Sequence, residues 1–285
     1  MNVQTAGAES PHLDQREQTQ AAEHAAPHAL VIHEVVREEG ELELRRPNVA
    51  LLWSGLAAGL SMGFSLLSLA LIRSGLHDQP WRFLIESPGY CVGFVLVILG
   101  RQQLFTESTL TAVLPLMVRR DLATLKSVLR MWGIVLGANL VGTLVFAALI
   151  SPEHVFPQAV RQSLVDIGQE ILAGSTGPKF LKAVLAGWLI ALMVWLLPSA
   201  RSARLFVIML LTYVVAIGRF PHVIAGSADA AFAVFSGQAT VADYLLRFLL
   251  PTLVGNTIGG VALVAFLNHA PLAPELQDGN EPASA

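Results

Sequence analysis

His222 lies within a long apolar stretch, directly after Arg219, Phe220 and Pro221. An imidazole surrounded by hydrocarbon is costly to charge unless a partner or an anion compensates it, so a titratable group there points to function. Kept neutral, the ring can hydrogen-bond a small solute or lend a proton to a passing weak acid. The spacing fits equally well a ring that only bridges backbone groups freed by a broken helix. A second polar interruption lies earlier, in Leu96 to Pro115, LVILGRQQLFTESTLTAVLP. That stretch begins and ends as hydrocarbon yet holds Arg101, Gln102, Gln103, Thr106, Glu107, Ser108 and Thr109 in its middle. No continuous lipid-facing helix tolerates that content, so the helix must break. Irregular polar backbone at membrane depth survives only where protein buries it or where it lines a water-accessible cavity, because each unsatisfied amide costs several kcal/mol in hydrocarbon. The interruptions therefore predict a pore or a binding site. Arg101 and Arg219 occupy matching places in them, and an Arg at that depth must face protein, water or an anion. Two readings stay open. One or both supply a positive field for anions, or they bond carbonyls freed by the breaks, with Glu107 as an alternative partner.

The composition narrows the class. Of 285 residues, 54% are hydrophobic and only 14% charged, and the mean hydropathy is +0.58, the balance of an integral membrane protein. The formal charge of −3 averages an acidic tail with an apolar body, and nothing suggests nucleic acid binding. A single cysteine, Cys91, excludes an intramolecular disulfide and a cysteine-only metal cage. The first 46 residues lack the basic region and apolar run of a secretory leader, so the first span is expected to direct insertion. His24, His28 and His33 are expected in a solvated tail rather than a metal site, since no carboxylate or thiolate accompanies them. An intramembrane enzyme built on His222 and Glu107 would need a second catalytic group, and the sequence has no HExxH, no paired carboxylates and no serine elbow. Neither metal nor cofactor is expected.

The elements that must hold these residues follow from the hydropathy pattern. Residues 1–27 are expected to be disordered, and Ala29 to Leu44 to form a short amphipathic helix at the membrane surface or against a neighbouring subunit. Six spans follow: Val49 to Ile72; Gly89 to Gly100 with a break and then Leu110 to Val118; Met131 to Ile150; Phe180 to Leu197, ended by Pro198; Leu205 to Gly218, broken by Pro221; and Leu245 to Leu267. An interfacial helix is expected near Val160 to Leu172. Glycines 55, 59 and 63 in the first span, and 133, 137 and 142 in the third, predict faces that let another helix approach closely. Gly100 and Arg101 precede Gly218 and Arg219 by 118 residues, and Gly137 and Gly142 precede Gly255 and Gly260 by the same 118. Three crossings per copy make the repeats inverted, with the two breaks meeting near the midplane. Basic residues cluster before span one, between spans two and three, and between spans four and five, so both termini are expected in the cytoplasm. The division is then a cytoplasmic tail at 1–46, a transmembrane channel domain at 47–269 and a second cytoplasmic tail at 270–285.

Here the sequence resembles the formate/nitrite transporter family, from Leu51 to Leu267. Leu104, Phe105 and Thr106 are similar to the family's loop in the broken second helix. Phe220, His222, Ile224 and Ala225 are similar to its broken fifth helix. Trp132 to Gly142, with Gly137 and Asn139, and Gly255, Asn256, Gly259 and Gly260 are similar to its third and sixth helices. The resemblance implies an all-α, aquaporin-like protomer of six transmembrane helices with helices 2 and 5 broken. It also implies a homopentamer in the inner membrane with one pore per subunit, passing small monovalent anions or their conjugate acids across the lipid bilayer. It makes Leu104 and Phe105 part of an apolar constriction, Thr106 a polar contact beside it, Phe220 its neighbour in the fifth-helix motif, and His222 the central pore histidine. Four family positions differ: an acid is replaced by Pro221, one Asn by Gly226, another by Ala191, and a Lys by a residue near Ser175. That pattern is closer to a divergent inner-membrane branch than to the family's formate channels. The rival expectation is a pore for neutral solutes such as water or glycerol.

Overall fold

Long apolar runs become long helices. The computed structural model describes residues 10–272, and among them every regular element is helical. Two short helices precede the apolar body. α1, Gln15–His24, lies where composition predicts disorder. It is started by a capping box in which the Asp14 carboxylate accepts from the Arg16 and Glu17 N–H groups while Glu17 accepts from the Asp14 N–H. Residues 1–9 and 273–285 lie outside the described residues, so the expectations for them stand apart from the structure.

α2, Ala29–Leu44, has the expected bounds, but its apolar side is laid on this same chain. Val36 is fully buried in a cluster with Leu110, Leu114, Ala191, Val194 and Trp195. Gly40 permits the approach, since a methyl there would collide with the Thr111 carbonyl. His33, expected in solvent, is fully buried, and its Nε2 lies 3.0 Å from Nδ1 of His269 near the other end of the chain. No group of three metal-ligating residues forms among the described residues.

The body comprises α3 (Asn48–Ser74), α4 (Arg82–Leu99), α5 (Phe105–Thr111), α6 (Val113–Arg119), α7 (Leu122–Ile150), α8 (Gln158–Leu172), α9 (Thr176–Ala200), α10 (Arg204–Ile217), α11 (Ala225–Phe235) and α12 (Leu250–Ile258). π-Helical turns flank α12, which extends the last helical run from Asp243 to Leu272. Five helical runs among the described residues are long and apolar enough to cross a membrane: 48–74, 82–99, 122–150, 176–217 and 243–272. α3 packs on α4 and α7, and α9 packs on α12. The closest approaches are matched. A methyl at Gly59 of α3 would strike the Asn139 carbonyl of α7, and one at Gly187 of α9 would strike the Asn256 carbonyl of α12.

Three further sequence expectations need correction. The second apolar stretch begins at Arg82 rather than Gly89 and its break covers only 100–104, so Thr106, Glu107, Ser108 and Thr109 are helical. Pro198 lies inside α9, which runs on to Ala200. Of the three α7 glycines only Gly142 lies against another helix of this chain, while a methyl added at Gly133 or Gly137 would meet nothing within 4 Å beyond its own helix backbone. Glycine spacing alone does not say which helix face is covered.

Candidate functional site

The two interruptions are built alike. α4 closes with the Gln102 N–H bonded to the Val97 carbonyl at 3.0 Å, α10 with the Phe220 N–H bonded to the Val215 carbonyl at 3.0 Å. Each such six-residue closure needs a left-handed residue after the cap, usually glycine. Here it is an arginine in both places, Arg101 at φ +53° and Arg219 at φ +49°, at a cost of about 1–2 kcal/mol each. α10 therefore stops before Pro221 is reached, and the proline lies in the extended segment that follows. A proline so soon after a helix end also bars its continuation, so the left-handed arginine and the ring act in the same direction.

Each break strands backbone groups that must find partners, and one buried asparagine serves each. Asn139 of α7 accepts from the Phe105 N–H at 2.9 Å and donates to the carbonyls of Gly55 and Gln103 at 2.7 and 2.9 Å. Asn256 of α12 accepts from the Val223 N–H at 2.7 Å and donates to the carbonyls of Ala183 and Pro221 at 2.8 and 3.0 Å. The arginines are 118 residues apart and the asparagines 117, so a single offset for both landmarks pairs Asn139 with the wrong residue.

Across the breaks the two segments meet. Thr106, at the start of α5, and His222, just before α11, are joined at 2.7 Å between Oγ1 and Nε2, and each is about 1% exposed. The imidazole Nδ1 accepts the Ala225 N–H at 3.2 Å. A backbone N–H can only donate, so Nδ1 carries no hydrogen and the ring is neutral, with its Nε2–H directed at Thr106. The Phe94 ring stands edge-on to the imidazole, with centroids 4.9 Å apart.

Two cavities approach this contact from opposite ends of α4, α9 and α10 and share no lining residue. One, about 370 Å³, is bordered by His222, Phe220, Arg219, Tyr90, Asp229 and the start of α9. The other, about 340 Å³, is bordered by Arg101, Gln103, Glu107, Arg204 and residues of α2. Thr106, Leu104, Phe94 and Val97 line neither cavity and are at most 1% exposed. They form the partition. Lys179 and Lys182 also line the first cavity, so cations stand there although Ser175 does not supply one. Lys179 is buried, its ammonium donating to the carbonyls of Leu172 and Arg247 at 3.2 and 2.8 Å. The second cavity is walled by α2, where Glu43 accepts from Gln103 Nε2 at 3.0 Å and from Thr111 Oγ1 at 2.7 Å. Desolvation holds the Glu43 carboxyl above its ordinary range, against those two hydrogen bonds.

The structure thus brings His222 and Thr106 together and buries Leu104 and Phe105 in the apolar cluster beside them, Phe105 edge-on to Trp132 at 5.7 Å. It separates the arginines, Arg219 bordering the first cavity and Arg101 the second. Arg101 meets Glu39 at 3.4 Å rather than Glu107. Gly226 sits against the tip of the Phe248 ring, where a methyl would collide. Sequence reasoning missed the role of the two asparagines. It also missed a buried cluster in which Arg73 is held by Glu86 at 2.6 and 2.9 Å and by Glu170 at 3.0 Å, joining α3, α4 and α8. Charged residues at the ends of apolar spans were the available signal.

Comparison with known proteins follows the same lines. A family model described as Formate/nitrite transporter matches residues 30–270. The Inner membrane protein YfdC of Escherichia coli (strain K12) is 41% identical over 250 residues, covering 88% of this chain and 81% of that protein. The Formate channel BtFdhC of Bacillus thuringiensis is 29% identical over 252 residues, covering 84% of this chain and 93% of that one. Among solved structures, an FNT family ion channel superposes with a TM-score of 0.71 at 22% identity, covering 85% of this chain and 98% of its own. A pentameric formate channel with formate bound superposes with a TM-score of 0.67 at 19% identity, covering 79% and 98%.

Proposed function

The chain belongs to the formate/nitrite transporter family, a family of transporters and channels rather than enzymes, and from that premise we propose that it passes small monovalent anions, crossing as their conjugate acids, between the two cavities at Thr106 and His222. The observation that carries this reading is the contact itself, a buried polar pair among apolar side chains with a cavity of about 370 Å³ on one side and about 340 Å³ on the other. Moving a bare carboxylate into that partition costs several kcal/mol even after relaxation, and its neutral acid far less. In the passage, Thr106 and the His222 ring hydrogen-bond the acid, while Leu104, Phe105 and Phe220 are the apolar residues that constrict the route. Lys179, Lys182 and Arg219 draw anions to the first cavity, and Arg101 does so at the second.

In this reading the 47–269 segment crosses the bilayer six times as two inverted three-helix repeats. α4 to α6 form the second crossing and α10 to α11 the fifth, in an aquaporin-like arrangement. The paired Arg closures, the paired Asn clamps and the paired glycine approaches support it. Both termini face the cytoplasm on the basic-residue bias, which makes the His222 cavity the outer one. The membrane is the inner one, as for YfdC, and the assembly is a homo-oligomer, with the pentamer of the solved formate channel as its form. The test is uptake into proteoliposomes of formate, nitrite, acetate and lactate, alongside swelling in glycerol. Anion uptake without glycerol swelling is expected. Swelling without anion uptake would replace this reading with that of a neutral-solute pore.

A further inference from the structure

We propose that Asp229 is the proton-exchanging group of the His222 cavity, handing a proton to the weak-acid anion before it reaches the apolar partition. The inference rests on the permeation reading above and adds the group that supplies the proton. His222 is badly placed for that task, because its Nδ1 is occupied by the Ala225 N–H and its Nε2–H is already given to Thr106. Protonating the ring would mean giving up the first of these bonds. Three carboxyl groups line the cavity, and two are committed: Glu86 and Glu170 both hold the buried Arg73. Asp229 is the third. It is 8% exposed, borders the cavity, and among the described residues its carboxyl takes part in no ion pair and in no hydrogen bond to another residue, only its own backbone N–H acting on it. It lies on α11, and both it and His222, in the segment that leads into that helix, border this one cavity.

The surroundings suit an exchange rather than a fixed charge. Arg73 of α3, Glu170 of α8 and Tyr90 of α4 are the ionisable groups close enough to act on Asp229. Arg73 is already neutralised by its two glutamates. α7 puts no ionisable side chain on this cavity. From the helical run after α11, the Tyr244 hydroxyl is spent on Ser227 at 3.1 Å. Lys179, Lys182 and Arg219 border the cavity without pairing to Asp229. The step balances simply. The Asp229 O–H bond breaks, an O–H bond forms on the entering carboxylate, and the Asp229 carboxylate then takes a proton from water at the cavity mouth. One external proton is consumed for each acid molecule that moves on.

The experiment uses full-length protein in proteoliposomes, measuring labelled formate uptake and internal acidification at several external pH values for the native chain, Asp229→Asn and Asp229→Glu. For the native chain, uptake rises as external pH falls. For Asp229→Asn the rise is expected to flatten, with uptake at acid pH lower by roughly a hundredfold, the lower end of what a positioned acid contributes; Asp229→Glu restores it. Superimposable native and Asn profiles overturn the inference while leaving permeation intact, and a native chain that moves no anion overturns both. A second measurement does not depend on the variants folding. Infrared difference spectra of native protein on adding formate should show a change in a carboxylic C=O band, and a spectrum without one also overturns the proposal.

Discussion

Asn256 is the residue on which the second break depends. It is fully buried and serves three backbone groups at once, so Asn256→Ala leaves the Val223 N–H and the Pro221 carbonyl unsatisfied, at roughly 1–3 kcal/mol each, while the Ala183 carbonyl keeps its bond within α9. The neighbouring Thr252 hydroxyl is also buried and has no partner among the described residues. Thr252→Val removes a polar atom that gains nothing and should be neutral or stabilising. Thermal unfolding in detergent is expected to show a large fall for the first variant and none for the second; equal effects would contradict the clamp. Arg219 separates backbone from charge in another way. Its left-handed conformation suits glycine better, so Arg219→Gly should leave the melting temperature unchanged or raise stability by about 1 kcal/mol, although a charge next to the site is lost. A markedly lower melting temperature would mean that the guanidinium itself holds the break.

At the scale of elements, α2 acts as a wall of the Arg101 cavity through Glu39 and Glu43, one helical turn apart, which reach Arg101, Gln103 and Thr111. The Glu43 carboxyl is raised chiefly by desolvation, so the folded state binds more protons than the unfolded chain. Its contribution is complete below the unfolded carboxylate value of about 4.3 and is lost as pH rises through the folded one. His33 works in the opposite sense: burial lowers it, so its contribution is complete above the unfolded value near 6.5 and is lost as pH falls through the folded one. His33 contributes alike to the native protein and to Glu43→Gln, so as pH is raised from mildly acid values exchange of α2 amides, after correction for intrinsic rates, should speed up more in the native protein than in the variant; parallel profiles would contradict the assignment. The bounds of α2 were legible in the sequence because apolar residues recur at helical spacing. What α2 would cover was not legible, since a helix pattern carries no address. That the chain is built of long apolar helices was legible for the same reason, hydropathy being a local property. Both helix ends, at Gly100 and Gly218, were legible; the return to helix at Phe105 was not, because it depends on the distant Asn139, which leaves no compositional mark.

For the whole molecule, the paired breaks, clamps and close approaches place one buried polar contact between two cavities, with basic side chains at both mouths. His222 and Thr106 were legible as candidates from position and resemblance; their joining was not, because it depends on two segments 116 residues apart in sequence. The partition residue Phe94 and the unpaired Asp229 gave no signal beyond one aromatic and one acid in apolar surroundings. If exposed cations steer anions, Arg219→Gly should lower formate uptake at low ionic strength, and the deficit should shrink as salt shortens the screening length from about 30 Å at 0.01 M to about 3 Å at 1 M. A deficit independent of salt would place Arg219 in the passage itself rather than at its mouth. The most direct measurement is formate uptake by proteoliposomes holding native protein, Thr106→Val or His222→Ala, each folded and present in equal amount, at acid and neutral external pH. The account predicts uptake that rises on acidification in the native protein and is lost in both variants. Undiminished uptake in both would contradict passage at the Thr106–His222 contact.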